Sequence, residues 1–370
     1  MNLTFSDSAK FYEAAKNLLA GNCLTNHHSF FSSSALASYQ PGQSWPANFL
    51  PLNSLLMAGV FKYFPINDLT IAMTGYLFFA ICLGLTFLIA KRLHSARAGI
   101  LAALLFSSSL FFLEYAQNAS SEIFFTTQIL LFVYLSLQKN KIRWLSIFPL
   151  ALMFLTRQQA ILFLLALPIY FVLFHLKSWQ TRLVSVFLAV IIFFGLYLVA
   201  KRDVSSIYSP LKPFYSAQTT AGVNQGLYLR GQEYSQTVTT PKNILSKVFY
   251  NVYNFAKNPE RLAPTSIFFL FLFSFFTVRH RQFTYFTATV LTTFILGASA
   301  SLPNARYVHP VIPLVITSAS LTLIQVLEKF SPRHINSKLL FIIIFLTLPT
   351  AGYFTLDARF RQRQFNIGKS

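Results

Sequence analysis

The chain has 370 residues, of which 54% are hydrophobic and only 11% charged, with 42 Phe and a net charge of +20. A soluble domain of this length can bury a large core, but it does not carry repeated apolar runs of bilayer length separated by short basic loops. In a soluble protein the basic balance would suit nucleic acid; here the cations sit mostly between apolar runs, so nucleic acid is excluded as a partner and lipid headgroups and phosphate-bearing lipids are the anions to expect.

In chain order, Ser6–Asn22 reads as a helix with Asp7 as its N-cap and Gly21 as its glycine stop. Met1–Lys10 is too polar for a cleavable signal peptide. Tyr39–Leu52 is punctuated by proline and holds Trp45 as an interfacial anchor, and Asn48–Phe64, with Pro51 and Lys62, suits a helix lying in the interface. The runs Leu69–Ala90, Ala98–Leu113, Ile123–Leu137, Ala160–Leu176, Leu183–Ala200, Pro264–Val278, Phe283–Ala300, Val308–Leu327 and Lys338–Leu356 follow. Each is close to the roughly 20 residues that a helix needs to cross the hydrocarbon. Cys23 and Cys82 differ in expected depth, which argues against a disulfide.

Short basic turns set the orientation. Lys91, Arg92 and Arg97, then Lys139, Lys141 and Arg143, then Lys177 with Arg182, Arg279 with Arg281, and Lys329 with Arg333 all fall in the cytoplasm under the positive-inside rule. Gln117–Ser121, the neighbourhood of Arg157 and Ser301–Arg306 then face outside, provided that Trp144–Thr156 crosses as a short helix. The expected fold is all-α, a polytopic transmembrane helix bundle of about ten spans with interfacial helices in the first outer loop. Its parts are a first extracytoplasmic loop (1–68), an N-terminal membrane bundle (69–200), a large extracytoplasmic loop (201–263) with a helix around Ile244–Phe255, a C-terminal membrane bundle (264–356) and a basic tail (357–370) emerging outside. The protein is expected to be multi-pass in the cell (inner) membrane, with its working surface outside. All acidic residues except Glu328 lie on that side.

Several residues there could carry chemistry, each with a plainer reading beside it. Asp7 could simply cap a helix. Glu114 and Glu122 flank an outer turn, and Glu122 opens a helix whose dipole favours a carboxylate. Arg157 and Arg306 sit at membrane edges, where a lone Arg snorkels to headgroups. His309, near Arg306 and Tyr307, is more simply a hydrogen-bonded structural residue than a ligand.

Taken in order, the strings S-D-S-A-K-F-Y-E-A-A (from Ser6), Y-Q-P-G-Q-S-W-P-A-N-F-L-P-L (from Tyr39), S-S-E (to Glu122), L-T-R (to Arg157) and R-Y-V-H-P (from Arg306) resemble the GT-C superfamily of polytopic glycosyltransferases, near its protein-mannosyltransferase and aminoarabinose-transferase branch. The resemblance covers Asp7 to about Pro313. It implies a transferase that moves a sugar from a polyprenyl-phosphate-linked donor to a glycan, lipid or protein acceptor at the outer face of the bilayer. Asp7 and Glu122 match the family's outer-loop acids and would be catalytic. Arg157 and Arg306 match positions where the family places cations near the lipid phosphate, and Tyr307 and Glu114 are further substrate-binding candidates. No cofactor is certain; a divalent metal is compatible with the resemblance, its ligands unknown. The family places a membrane helix directly before the first-loop acid, so about 20 apolar residues upstream of Met1 are the expectation. Two alternatives stay open: an oligosaccharide polymerase or O-antigen-ligase-like enzyme, and a non-enzymatic lipid or solute transporter.

Overall fold

The protein is described by a computed structural model covering residues 6–22, 25–26, 45–46, 50–139, 141–174, 241–276, 281–300 and 304–330. The expected spans Leu183–Ala200 and Lys338–Leu356, most of the 201–263 loop and the 357–370 tail lie outside these residues. The described part is helical apart from one antiparallel pairing of Thr25–Asn26 with Trp45–Pro46.

Helix α1 (Ser6–Leu19) contains Asp7 in its first turn, so Asp7 is not the capping residue before the helix as expected. Its stop is as read: Gly21 has φ 83°, and the amides of Gly21 and Asn22 bond back to the carbonyls of Leu18 and Asn17 at 3.1 and 2.8 Å. Helix α2 (Leu52–Phe61) packs on α1 and buries Asn53, Ser54, Met57, Ala58 and Phe61. Ten residues span only about 15 Å, too short to cross.

Helix α3 (Asp68–Leu93) is the longest. Asn67 caps it by accepting from the Thr70 amide at 2.8 Å, and Asp68 at its start with Lys91 and Arg92 at its end complement the helix dipole. It packs on α4 (Ala96–Ser107), α5 (Leu110–Gln117) and α6 (Ser121–Ser136). The expected single span Ala98–Leu113 is broken: α4 and α5 meet at 65°. The reason is the serine run at the junction. The hydroxyls of Ser107 and Ser108 donate to the carbonyls of Leu104 and Leu105, competing with the helix's own amides.

The expected crossing Trp144–Thr156 divides into a 3₁₀ turn, Lys141–Ser146, and a ten-residue helix α7 (Ile147–Thr156). Then come α8 (Ala160–Phe174), α9 (Pro241–Lys257), α10 (Thr265–Phe273), α11 (Arg281–Ala300) and α12 (Ile312–Phe330). Helix α11 packs on α8, α9 and α12; α12 also packs on α4 and α10. Among the described residues three helical segments are long and apolar enough to cross a membrane, four if the bent α4–α5 pair is one span. Cys82 is free and buried, its thiol 3.0 Å from the Thr127 hydroxyl.

Polar contacts gather at the two ends of the bundle. At one end His94 meets Glu328 at 3.1 Å and Arg92 donates to the Leu137 carbonyl at 2.9 Å. The other end holds the α5–α6 turn, the α7–α8 junction and the segment between α11 and α12.

Candidate functional site

At this second end three chain reversals deliver three charges to one point. The α5–α6 turn runs through Ala119, whose φ of 38° is left-handed and lets the chain reverse within a few residues. Glu122 follows in the first turn of α6. Arg157 is the residue at which the chain leaves α7, its backbone already extended at φ −149° and ψ 144°. Arg306 lies in the 3₁₀ turn Ala305–Tyr307, started by Asn304, whose side chain accepts from the Arg306 amide at 3.0 Å.

Glu122 is 0% exposed, and one of its oxygens takes both cations. Arg157 Nη1 stands 2.7 Å from Glu122 Oε1, and Arg306 Nε donates to the same oxygen. Burying a lone carboxylate is very costly, so the two guanidiniums are what makes this position tenable. Ser121 supports the group: its hydroxyl accepts from Arg157 Nη1 at 2.7 Å and lies 3.5 Å from Glu122 Oε2. Gln159 accepts from Arg157 Nε at 3.0 Å, and the Arg157 guanidinium lies over the Tyr307 ring, 5.8 Å from its centre.

Beside this group His309 is buried between Phe111, at 4.4 Å between ring centres, and Tyr115. Its Nε2 lies 2.8 Å from the Arg261 carbonyl and must donate to it. Nδ1 lies 2.5 Å from the Tyr115 hydroxyl. The histidine ties together α5, the α9–α10 junction and the start of α12.

Helix α1 docks against the same hairpin. The buried Tyr12 hydroxyl donates to the carbonyl of Asn118 and, at 3.3 Å, to that of Ala119. Burial pushes this hydroxyl well above its ordinary range, so it remains a donor.

The structure thus brings Glu122, Arg157, Arg306 and Tyr307 together. Glu114 stands half-buried on α5, on the other arm of the hairpin. Asp7 belongs to the helix that Tyr12 pins beside the turn, while its side chain lies outside the described residues. Among the described residues no three His, Cys, Asp or Glu side chains gather as a metal site. Tyr12, Ser121 and Gln159 were not expected here. Ser121 and Gln159 lie within two residues of expected charges, and Tyr12 lies in the first-loop string with Asp7, which were the available signals.

Residues 46–200 match the family described as dolichyl-phosphate-mannose-protein mannosyltransferase. No curated protein matches the chain significantly. Two crystal structures of ArnT from Cupriavidus metallidurans are similar in fold. The one bound to undecaprenyl phosphate has a TM-score of 0.54 at 14% identity, covering 93% of this chain and 59% of that one. The apo form has a TM-score of 0.50 at 15% identity, covering 90% and 57%. The chain therefore spans under three fifths of the length of the proteins it resembles. Family match and fold agree in character: the chain is a polytopic helical membrane protein, similar over residues 46–200 to the mannosyltransferase family and in fold to ArnT.

Proposed function

We propose that the protein is a glycosyltransferase that moves a sugar from a polyprenyl-phosphate-linked donor to an acceptor hydroxyl at the extracytoplasmic face of the cell membrane. The observation that carries this reading is the convergence of Arg157 and Arg306, from two separate junctions, at one end of the bundle. A phosphate-linked sugar already has a good leaving group, so the site mainly has to hold phosphate charge as the bond breaks. Guanidiniums suit this because their planar fork binds two phosphate oxygens at once. The ArnT structure with undecaprenyl phosphate supports a donor of this class.

In the proposed reaction the acceptor oxygen forms a bond to the sugar's anomeric carbon. The bond from that carbon to the phosphate oxygen breaks, and its electron pair leaves with the polyprenyl phosphate. The Asp7 carboxylate takes the acceptor's proton, a role worth typically 10²–10⁴-fold. Tyr307 lies against the Arg157 guanidinium, and Glu114, half-buried on α5, would contact substrate. The loops 1–68 and 201–263 would shape acceptor choice on that face.

The test is transfer of labelled sugar from a polyprenyl-phosphate donor in detergent, with undecaprenyl phosphate binding measured beside it. Asp7→Asn should lower turnover by about 10²-fold or more with binding kept. Arg306→Ala should weaken both, and Arg306→Lys should restore only part, since Lys returns charge without the fork. Near-normal transfer by folded Asp7→Asn protein would remove Asp7 from the mechanism.

A further inference from the structure

We infer that Glu122 is a positioning residue: its buried carboxylate gathers Arg157 and Arg306 into one preset anion-binding face and does not accept the acceptor's proton. The inference rests on the donor-phosphate reading above and departs from the catalytic role that the resemblance implies for this acid.

Access and geometry carry it. A general base must come within hydrogen-bond reach of the proton it removes. Glu122 is 0% exposed, Oε1 is shared by two guanidiniums and Oε2 faces the Ser121 hydroxyl at 3.5 Å. Neither oxygen is open to an incoming hydroxyl.

Arg157 shows the complementary pattern. Arg157 has five N–H donors. Nε is committed to Gln159 at 3.0 Å, and Nη1 to Ser121 and Glu122, both at 2.7 Å. The two protons on Nη2 have no hydrogen-bond partner among the described residues, although the side chain is only 9% exposed. One edge of the guanidinium is pinned and the other is presented. Without an anion between them, two guanidiniums that meet at a single oxygen would repel each other and swing apart. Glu122 holds them convergent before any phosphate arrives, so the donor meets fixed donors and does not have to gather mobile cations.

The experiment measures undecaprenyl phosphate affinity and sugar transfer for native protein, Glu122→Gln, Glu122→Asp and Gln159→Ala, each checked for folding by size exclusion. Glu122→Gln should raise the dissociation constant about tenfold or more, with turnover at saturating donor falling by less than that and well short of the hundredfold loss of a base. Adding Arg306→Lys should then cost less than it does in the native background, the mark of residues that act as a unit. Glu122→Asp keeps the charge but draws it back by one methylene and should fall between. Gln159→Ala strands no charge and should raise the constant about threefold, so the idea stays testable if Glu122→Gln fails to fold. Unchanged binding with turnover lost by about a hundredfold at saturating donor would make Glu122 the base. Tighter binding in Glu122→Gln would mean that the carboxylate competes with phosphate for the same donors. Either result overturns the inference. Failure of the donor reading looks different: the native protein itself then binds no undecaprenyl phosphate, and the preset face falls with it.

Discussion

At the scale of single residues, close approach decides as much as charge. Gly75 of α3 lies against the α5–α6 turn so tightly that a Cβ there would stand 1.8 Å from the Ala116 carbonyl oxygen, a backbone atom that cannot step aside. Gly75→Ala should therefore destabilise the protein by about 1–3 kcal/mol, the usual range for overpacking, and displace the hairpin that carries Glu122. Gly84, on the same helix, has nothing within 4 Å of its built Cβ. Gly84→Ala should be neutral or slightly stabilising, because alanine is the better helix former. Thermal unfolding in detergent distinguishes the two, and equal melting temperatures would contradict the packing seen here. Gly75 sits in an unremarkable apolar run, so nothing local marked it. Glu122, Arg157 and Arg306 were legible because charge at a membrane edge is costly and therefore conspicuous. That one carboxylate oxygen serves both arginines was not legible, since the three positions are far apart in the chain.

At the scale of elements, α1 is held to the hairpin by Tyr12, whose hydroxyl is shared between two backbone carbonyls. Tyr12→Phe keeps the ring packing against Phe61 but leaves buried carbonyls unpaired, at a cost of about 1–3 kcal/mol. The loss should appear locally: faster amide exchange over residues 6–22 with α6 and α12 unchanged, and slower sugar transfer if Asp7 acts from this helix. Uniform exchange across the protein after the substitution would show that α1 does not depend on the tether. Apolar runs and basic turns located most of these elements, but the boundaries were less legible. The α4–α5 bend arises from serine hydroxyls that compete for backbone carbonyls, and hydropathy does not register them. The short α7 reflects a 3₁₀ turn whose exposed Trp144 and Leu145 read as membrane by composition alone.

At the scale of the whole molecule, the arginine–Glu122 group and the His94–Glu328 contact lie at opposite ends of α3 and α12. If the first end is extracytoplasmic, an impermeant thiol reagent applied to intact cells should label Glu260→Cys but not Lys141→Cys. Both would be made in a Cys23→Ser background; the buried Cys82 needs no change. Labelling of Lys141→Cys alone would invert the threading. The sequence by itself determined that this is an all-α membrane protein, because the costs of exposing backbone and charge to lipid are local and additive along the chain. Tertiary structure alone decided that Glu122, Arg157 and Arg306 meet, that His309 ties three segments, and that α1 rests on the hairpin. Each of these depends on where separate helices end relative to one another, and that is set by close contacts such as Gly75 on Ala116, to which hydropathy is blind.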